Sequence, residues 1–135
     1  MNMRRILTGT IVVGIAANAV DWLLMKFFWG TSWTALAWVN PTPPMMWLII
    51  GDFAVAFMLM LAWDKFGAVS GKGPGAGFRF GLFAGAFVTF PAVLSWQMWI
   101  KDFPYALAWK TIVVGTLFYG VLGAVAAMLD GKEAA

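Results

Sequence analysis

Apolar positions fall into four long runs, Ile6 to Phe28, Met45 to Phe66, Phe78 to Ile100 and Tyr105 to Leu129, separated by segments rich in proline, glycine and charge. A helix rises about 1.5 Å per residue, so roughly 20 residues cross the hydrocarbon of a bilayer, and every run is long enough. Within lipid the backbone must satisfy its own hydrogen bonds, which predicts α-helix for each. The first break, Trp29 to Pro44, ends in Asn40-Pro41-Thr42-Pro43-Pro44, where prolines without N–H groups forbid a continuing helix. The second, Ser70 to Gly77, is glycine-rich and expected to be a flexible loop. The third, Lys101-Asp102-Phe103-Pro104, is so short that the last two helices must form an antiparallel hairpin. The expected fold class is an all-α membrane protein, with residues 1–135 forming one antiparallel bundle of four transmembrane helices.

Composition sharpens this picture. Of the residues, 62% are hydrophobic and 11% charged, and cysteine and histidine are absent, which excludes disulfides, thiolate metal sites and imidazole-bound haem. No cofactor and no metal is expected; Met45, Met46, Met58 and Met60 lack the repeated spacing of a copper-binding run, and thioethers are ordinary packing groups in membranes. Arg4, Arg5, Lys65, Lys72, Arg79 and Lys132 fall at one end of the bundle, which predicts that both termini face the cytoplasm of a bacterial inner membrane. Eight tryptophans then lie near the outer interface, with Trp63 at the inner one, and the uncharged segment from Gly30 to Val39 suits a short interfacial helix. Residues Met1 to Ala19 also fit a cleavable leader, with a small-x-small site at Ala17-Asn18-Ala19, but the apolar run continuing to Phe28 favours an intact span.

Intramembrane ionisable groups are the candidates for chemistry, because burying them in hydrocarbon is costly. Counting from the span centres puts Asp21 and Asp52 level with one another, about 6 Å outside the midplane. Lys26, Lys110 and Gln97 fall higher in the same half, and the inner half offers no comparable cluster. Gly14, Asn18, Asp21 and Met25 share one helical stripe, as do Asp52, Ala56, Leu59 and Trp63. Two facing carboxylates in a low dielectric cannot both stay ionised, so either one holds a proton or a lysine neutralises the pair. Lys110 is the expected partner. The candidate polar site is thus Asp21, Asp52, Lys110 and Asn18, either a clasp that fixes helix register or a protonatable or cation-binding site below an outward vestibule.

Small residues mark the packing faces. Gly77, Gly81 and Gly85 repeat at four-residue steps, and Thr116, Gly120 and Ala124 give a similar stripe, which suits either the closing hairpin or a homodimer face. Pro91 interrupts the third span near its middle, freeing the Phe87 carbonyl and predicting a kink, with the Thr89 hydroxyl nearby. Thr-Ile-Val-Val-Gly recurs at Thr10 and Thr111, and Gly-x-Phe-Ala-x-Ala-Phe at Gly51 and Gly81, but each repeat joins helices of opposite direction, which argues against a duplication.

Leu24-Met25-Lys26-Phe27 followed by Gly30 resembles the end of the first helix in the small multidrug resistance family, whose members are four-span, proton-coupled dimers. In that family a membrane glutamate precedes this stretch; Asn18 stands at its place here, with Asp21 one turn later, and the long proline-rich loop also departs from the pattern. Arg79 to Gly85 with a glycine-rich last helix looks like several bacterial four-span families to which no activity is attached, and this likeness implies no site residue. The expected function is a non-catalytic integral membrane protein, an accessory or assembly component; the alternative is a homo-oligomeric proton- or cation-coupled transporter using Asp21 and Asp52. An enzyme is not expected, since the chain lacks a Ser-His-Asp set and a paired-aspartate metal motif. The expected partners are the lipid bilayer, a second copy or a larger membrane complex; basic residues are too dispersed for nucleic acid, although Lys65, Lys72 and Arg79 suit anionic headgroups.

Overall fold

The computed structural model describes residues 2–29, 32–33, 35–37, 39 and 44–130. They form four long helices, α1 (Met3–Leu23), α2 (Met45–Ser70), α3 (Pro74–Trp99) and α4 (Tyr105–Asp130), with a π-helical segment, Leu24–Trp29, continuing α1. Each helix is long and apolar enough to cross a membrane, and the chain is an integral membrane protein built as an all-α four-helix bundle. Asn2 caps α1 by accepting from the Arg5 N–H at 3.2 Å. The glycine-rich break is shorter than its composition suggests. Gly71 and Gly73 take the positive φ values, +98° and +84°, that turn the chain, and Pro74 then starts α3 at a position where its missing N–H costs nothing. Residues 74–77, expected in the loop, are therefore the first turn of α3.

Lipid provides no hydrophobic drive between helices, so their association depends on close packing. The bundle is two hairpins, α1 with α2 and α3 with α4, and the second has the tighter seam. A methyl group on Gly81 would stand 2.8–2.9 Å from the Tyr119 carbonyl carbon and the Gly120 Cα; one on Gly85 would meet Thr116 and Tyr119. Gly77 faces the backbone of Gly123 and the side chain of Ala127, and Gly120 faces the side chains of Phe78 and Leu82. Gly77, Gly81, Gly85 and Gly120 thus all line the α3–α4 seam. On α4 the seam also takes in Gly123, packed directly against Gly77 and outside the expected Thr116–Gly120–Ala124 stripe.

Two apolar cores sit at different heights. Ile6, Val13, Ala17, Ala56, Leu59, Met60, Trp63 and Leu122 fill the half nearer the Met3 end, while Trp29, Val93, Phe103, Leu107 and Ile112 fill the half nearer the α1–α2 connection. The π segment links them. At about 100° per residue an unbroken α-helix would point Trp29 away from the Ile6–Val13–Ala17 face; the wider i→i+5 turn holds it back and buries it, edge-on to Trp33. The outer faces stay apolar, as in Phe83 and Phe87, 73% and 75% exposed, which suits contact with lipid tails. The α1–α2 connection, in its described residues, is a chain of turns from Trp29 to Val39; several residues of the expected interfacial helix, Trp38 among them, lie outside the described residues. Pro91 lies inside a continuous α3, and the Thr89 hydroxyl donates to the Gly85 carbonyl of the same helix at 2.8 Å and approaches Thr116 at 3.3 Å rather than serving the Phe87 carbonyl.

Adding one methyl at Gly81 should therefore destabilise the bundle by about 1–3 kcal/mol through overpacking. Gly51→Ala, where nothing lies within 4 Å, should be neutral or stabilising by up to about 1 kcal/mol. Denaturant titration of the two variants in one detergent, followed by helical circular dichroism, measures both.

Candidate functional site

Asp21 and Asp52 each lie roughly two turns from the connection end of their helices, and because α1 and α2 run antiparallel from that end, the residues are level. Asp52 lies within electrostatic range of Asp21, and Tyr119 of α4 lies within range of Asp52. Asp52 is 7% exposed, and its Oδ2 is buried without a hydrogen-bond partner. Its own helix explains the burial: Asp52, Ala56, Leu59 and Trp63 form one buried stripe at helical spacing. Asp21 is half-buried on the flank of α1, whose most buried line is Ile6, Gly9, Val13 and Ala17. Asn18 lies one turn below Asp21, and its amide nitrogen donates to the Gly14 carbonyl at 2.9 Å, so that donor is engaged within α1. Gly14 in turn is the gap into which the Phe53 ring fits, so the residue next to Asp52 is held against the Asn18 turn. Asp21 and Asn18 of α1 and Asp52 of α2 thus lie in one region of the α1–α2 seam.

Lys110 is elsewhere. Its ammonium donates to the Phe28 carbonyl at 3.0 Å and stands 4.3 Å and 5.1 Å from the ring centres of Phe28 and Trp29. The π segment ends α1 with carbonyls that lack a following helical N–H, and a cation is favoured both there and over the aromatic faces. Lys26 lies over Trp22 and Phe27. Among the described residues no cation forms an ion pair with Asp21 or Asp52; the expected Lys110 clasp is replaced by a lysine cap on the end of α1.

The Met3 end holds a polar network where none was expected. Arg5 of α1 pairs with Asp64 of α2, and its other terminal nitrogen lies 3.0 Å from Asp130 of α4. The Trp63 indole N–H donates to the second oxygen of Asp130. Sequence reasoning missed this set because Arg5 was weighed only as a topological charge. Its signal was nevertheless present: Arg5 opens the first apolar run, while Asp64 and Asp130 close the second and fourth, and antiparallel order brings those three ends together.

These placements make opposite demands on double-mutant cycles. Lys110→Met with Asp52→Asn should show a coupling within about 0.5 kcal/mol, because the two groups share no partner. Arg5→Gln with Asp130→Asn should couple by about 1 kcal/mol or more, since each single change breaks the same contact. Denaturant unfolding of the four variants and two doubles measures both cycles. No protein-family model, curated protein or solved structure matches the chain, so the functional reading rests on this geometry.

Proposed function

We propose that this integral membrane protein is a proton- or cation-coupled transporter that works as a homo-oligomer, with Asp21 and Asp52 as its exchange site. The observation that carries the reading is Asp52, an enclosed acid whose Oδ2 has no hydrogen-bond partner among the described residues, level with a second acid on α1 and with no basic side chain among the described residues paired to either. A clasp would use its polar atoms on one another. An uncompensated pair instead leaves room for one incoming positive charge, a proton or a small monovalent cation. The Ile6–Val13–Met60–Trp63 core is packed shut below the acids, with Ile6, Val13 and Met60 fully enclosed. A route past that core therefore calls for movement between the hairpins or for a surface shared with a second copy, which is the support for a homo-oligomer.

The second reading is the non-catalytic accessory or assembly component, and one observation favours it. Arg5, Asp64, Asp130 and Lys110 are all engaged inside the chain, which leaves an outer face such as Phe83–Phe87 that is apolar throughout and fit for contact with other membrane helices.

Asparagine substitution separates the two. In proteoliposomes under an imposed potential, with a pH-sensitive dye and sodium or potassium gradients, the wild type should move charge and Asp52→Asn should abolish it. Asp21→Asn should reduce the flux at least tenfold. Both variants should unfold no more easily than the wild type, since an amide is cheaper to bury than an unpaired carboxylate. Unchanged flux together with a loss of stability would assign the acids to holding the helices and favour the accessory component.

A further inference from the structure

At the connection end of the bundle α2 buries no side chain before Asp52; its first two turns, Met45 to Gly51, belong to neither apolar core. Together with the end of α1 they leave a cleft of about 270 Å³, lined by Trp22, Met25, Pro44, Met45, Trp47 and Leu48. No wall residue is charged, and Trp22, Met25, Met45 and Trp47 are all exposed, so the cleft is a groove on the outside of the bundle, where a spanning helix meets lipid. Its volume falls short of the roughly 300–1,000 Å³ of sites that enclose a small molecule, and it suits one arm of a molecule rather than the whole. A cation stands at its edge. The Lys26 ammonium lies 4.8 Å from the ring centre of Trp22, a wall of the cleft, and 5.3 Å from that of Phe27. It makes no hydrogen bond or ion pair among the described residues, whereas Lys110 at the same end is committed to the Phe28 carbonyl and Lys101 sits on the α3–α4 turn. Asp21, the acid on the same helix, is five residues back and so about 7.5 Å deeper.

An apolar groove open to lipid, with an uncommitted cation at the level of the helix ends, calls for an anionic amphiphile. We propose that the cleft holds an acyl chain of an anionic phospholipid whose phosphate pairs with Lys26. The depth supports this occupant. The α-helical part of α1 ends at Leu23 and α2 begins at Met45, so chain and headgroup meet where hydrocarbon gives way to water, the level at which the amphipathic rings of Trp22 and Trp47 are favoured. The ammonium carries three N–H donors, so it can keep its ring contacts on one side and donate to a phosphate on the other. A zwitterionic headgroup brings its own cation beside the phosphate, and the lysine gains less from it. This inference is independent of the transport reading, since it uses neither Asp21 nor Asp52.

The test exposes the full-length protein in detergent to an equimolar mixture of phosphatidylglycerol and phosphatidylcholine with identical acyl chains and weighs the retained lipid by native mass spectrometry. The wild type should keep the glycerol lipid about fivefold over the choline lipid, the effect of one lysine at a membrane surface. Lys26→Gln should bring the two near parity. Lys101→Gln removes the same charge from the exposed turn and should leave the preference intact, which separates local pairing from net charge. Met25→Trp fills the groove from an exposed position, so the bundle should form normally while retention of both lipids falls several-fold. Equal retention of the two lipids by the wild type, a preference that survives Lys26→Gln or is lost equally in Lys101→Gln, or undiminished retention by Met25→Trp would overturn the proposal.

Discussion

The backbone contact between α3 and α4 is the constraint on which the rest of the bundle depends. In lipid, helices gain little by hiding apolar surface from their surroundings, so a stable pair must instead bring main chains close. Gly77, Gly81 and Gly85 allow that on α3, and Gly120 and Gly123 receive them on α4. Tyr119 is seated in that seam: its carbonyl and Cβ stand against Gly81 and Gly85, so the close approach fixes where its side chain leaves α4.

Polar contacts across the hairpins occur at both ends of α4. At one end Lys110 reaches the Phe28 carbonyl of the π segment; at the other Asp130 receives Arg5 and the Trp63 indole. Between them the hairpins meet through apolar packing. The arrangement confines strong directional bonds to the levels where water is near and leaves the middle to side-chain fit, so relative movement of the hairpins would break few hydrogen bonds at mid-depth. The acids sit in that softer middle, nearer the Lys110 end.

What could be read from the chain follows from the range of each interaction. Four spans, their order and the α3–α4 hairpin were legible because they depend on local apolar length, on breakers and on a connection too short to do anything else. The buried Asp52–Ala56–Leu59–Trp63 stripe was legible for the same reason, since helical spacing alone sets it. Lys110 was not. Its height allowed several partners, and the winning one, a carbonyl released by a π turn, is a backbone group invisible to any reading of side chains. The extent of the second break is not legible from glycine count, because Gly71 and Gly73 alone make the turn and Pro74 already favours helix. The Arg5 network joins residues 59 positions and more apart, and only topology brings them together.

The π turn at Leu24–Trp29 gives the first helix two rotational settings along one rod. Below Asp21 the side chains follow the ordinary α register that seats Ile6, Val13 and Ala17; beyond it one surplus residue per turn has been absorbed, and Trp29 seats instead. Such a surplus is a defect that can travel. Were it to step toward Asp21, each residue it passed would swivel by roughly 100° about the rod while those near Ile6 stayed fixed. A carboxylate could then be turned from its neighbour toward the lipid-facing flank without any helix having to tilt or slide.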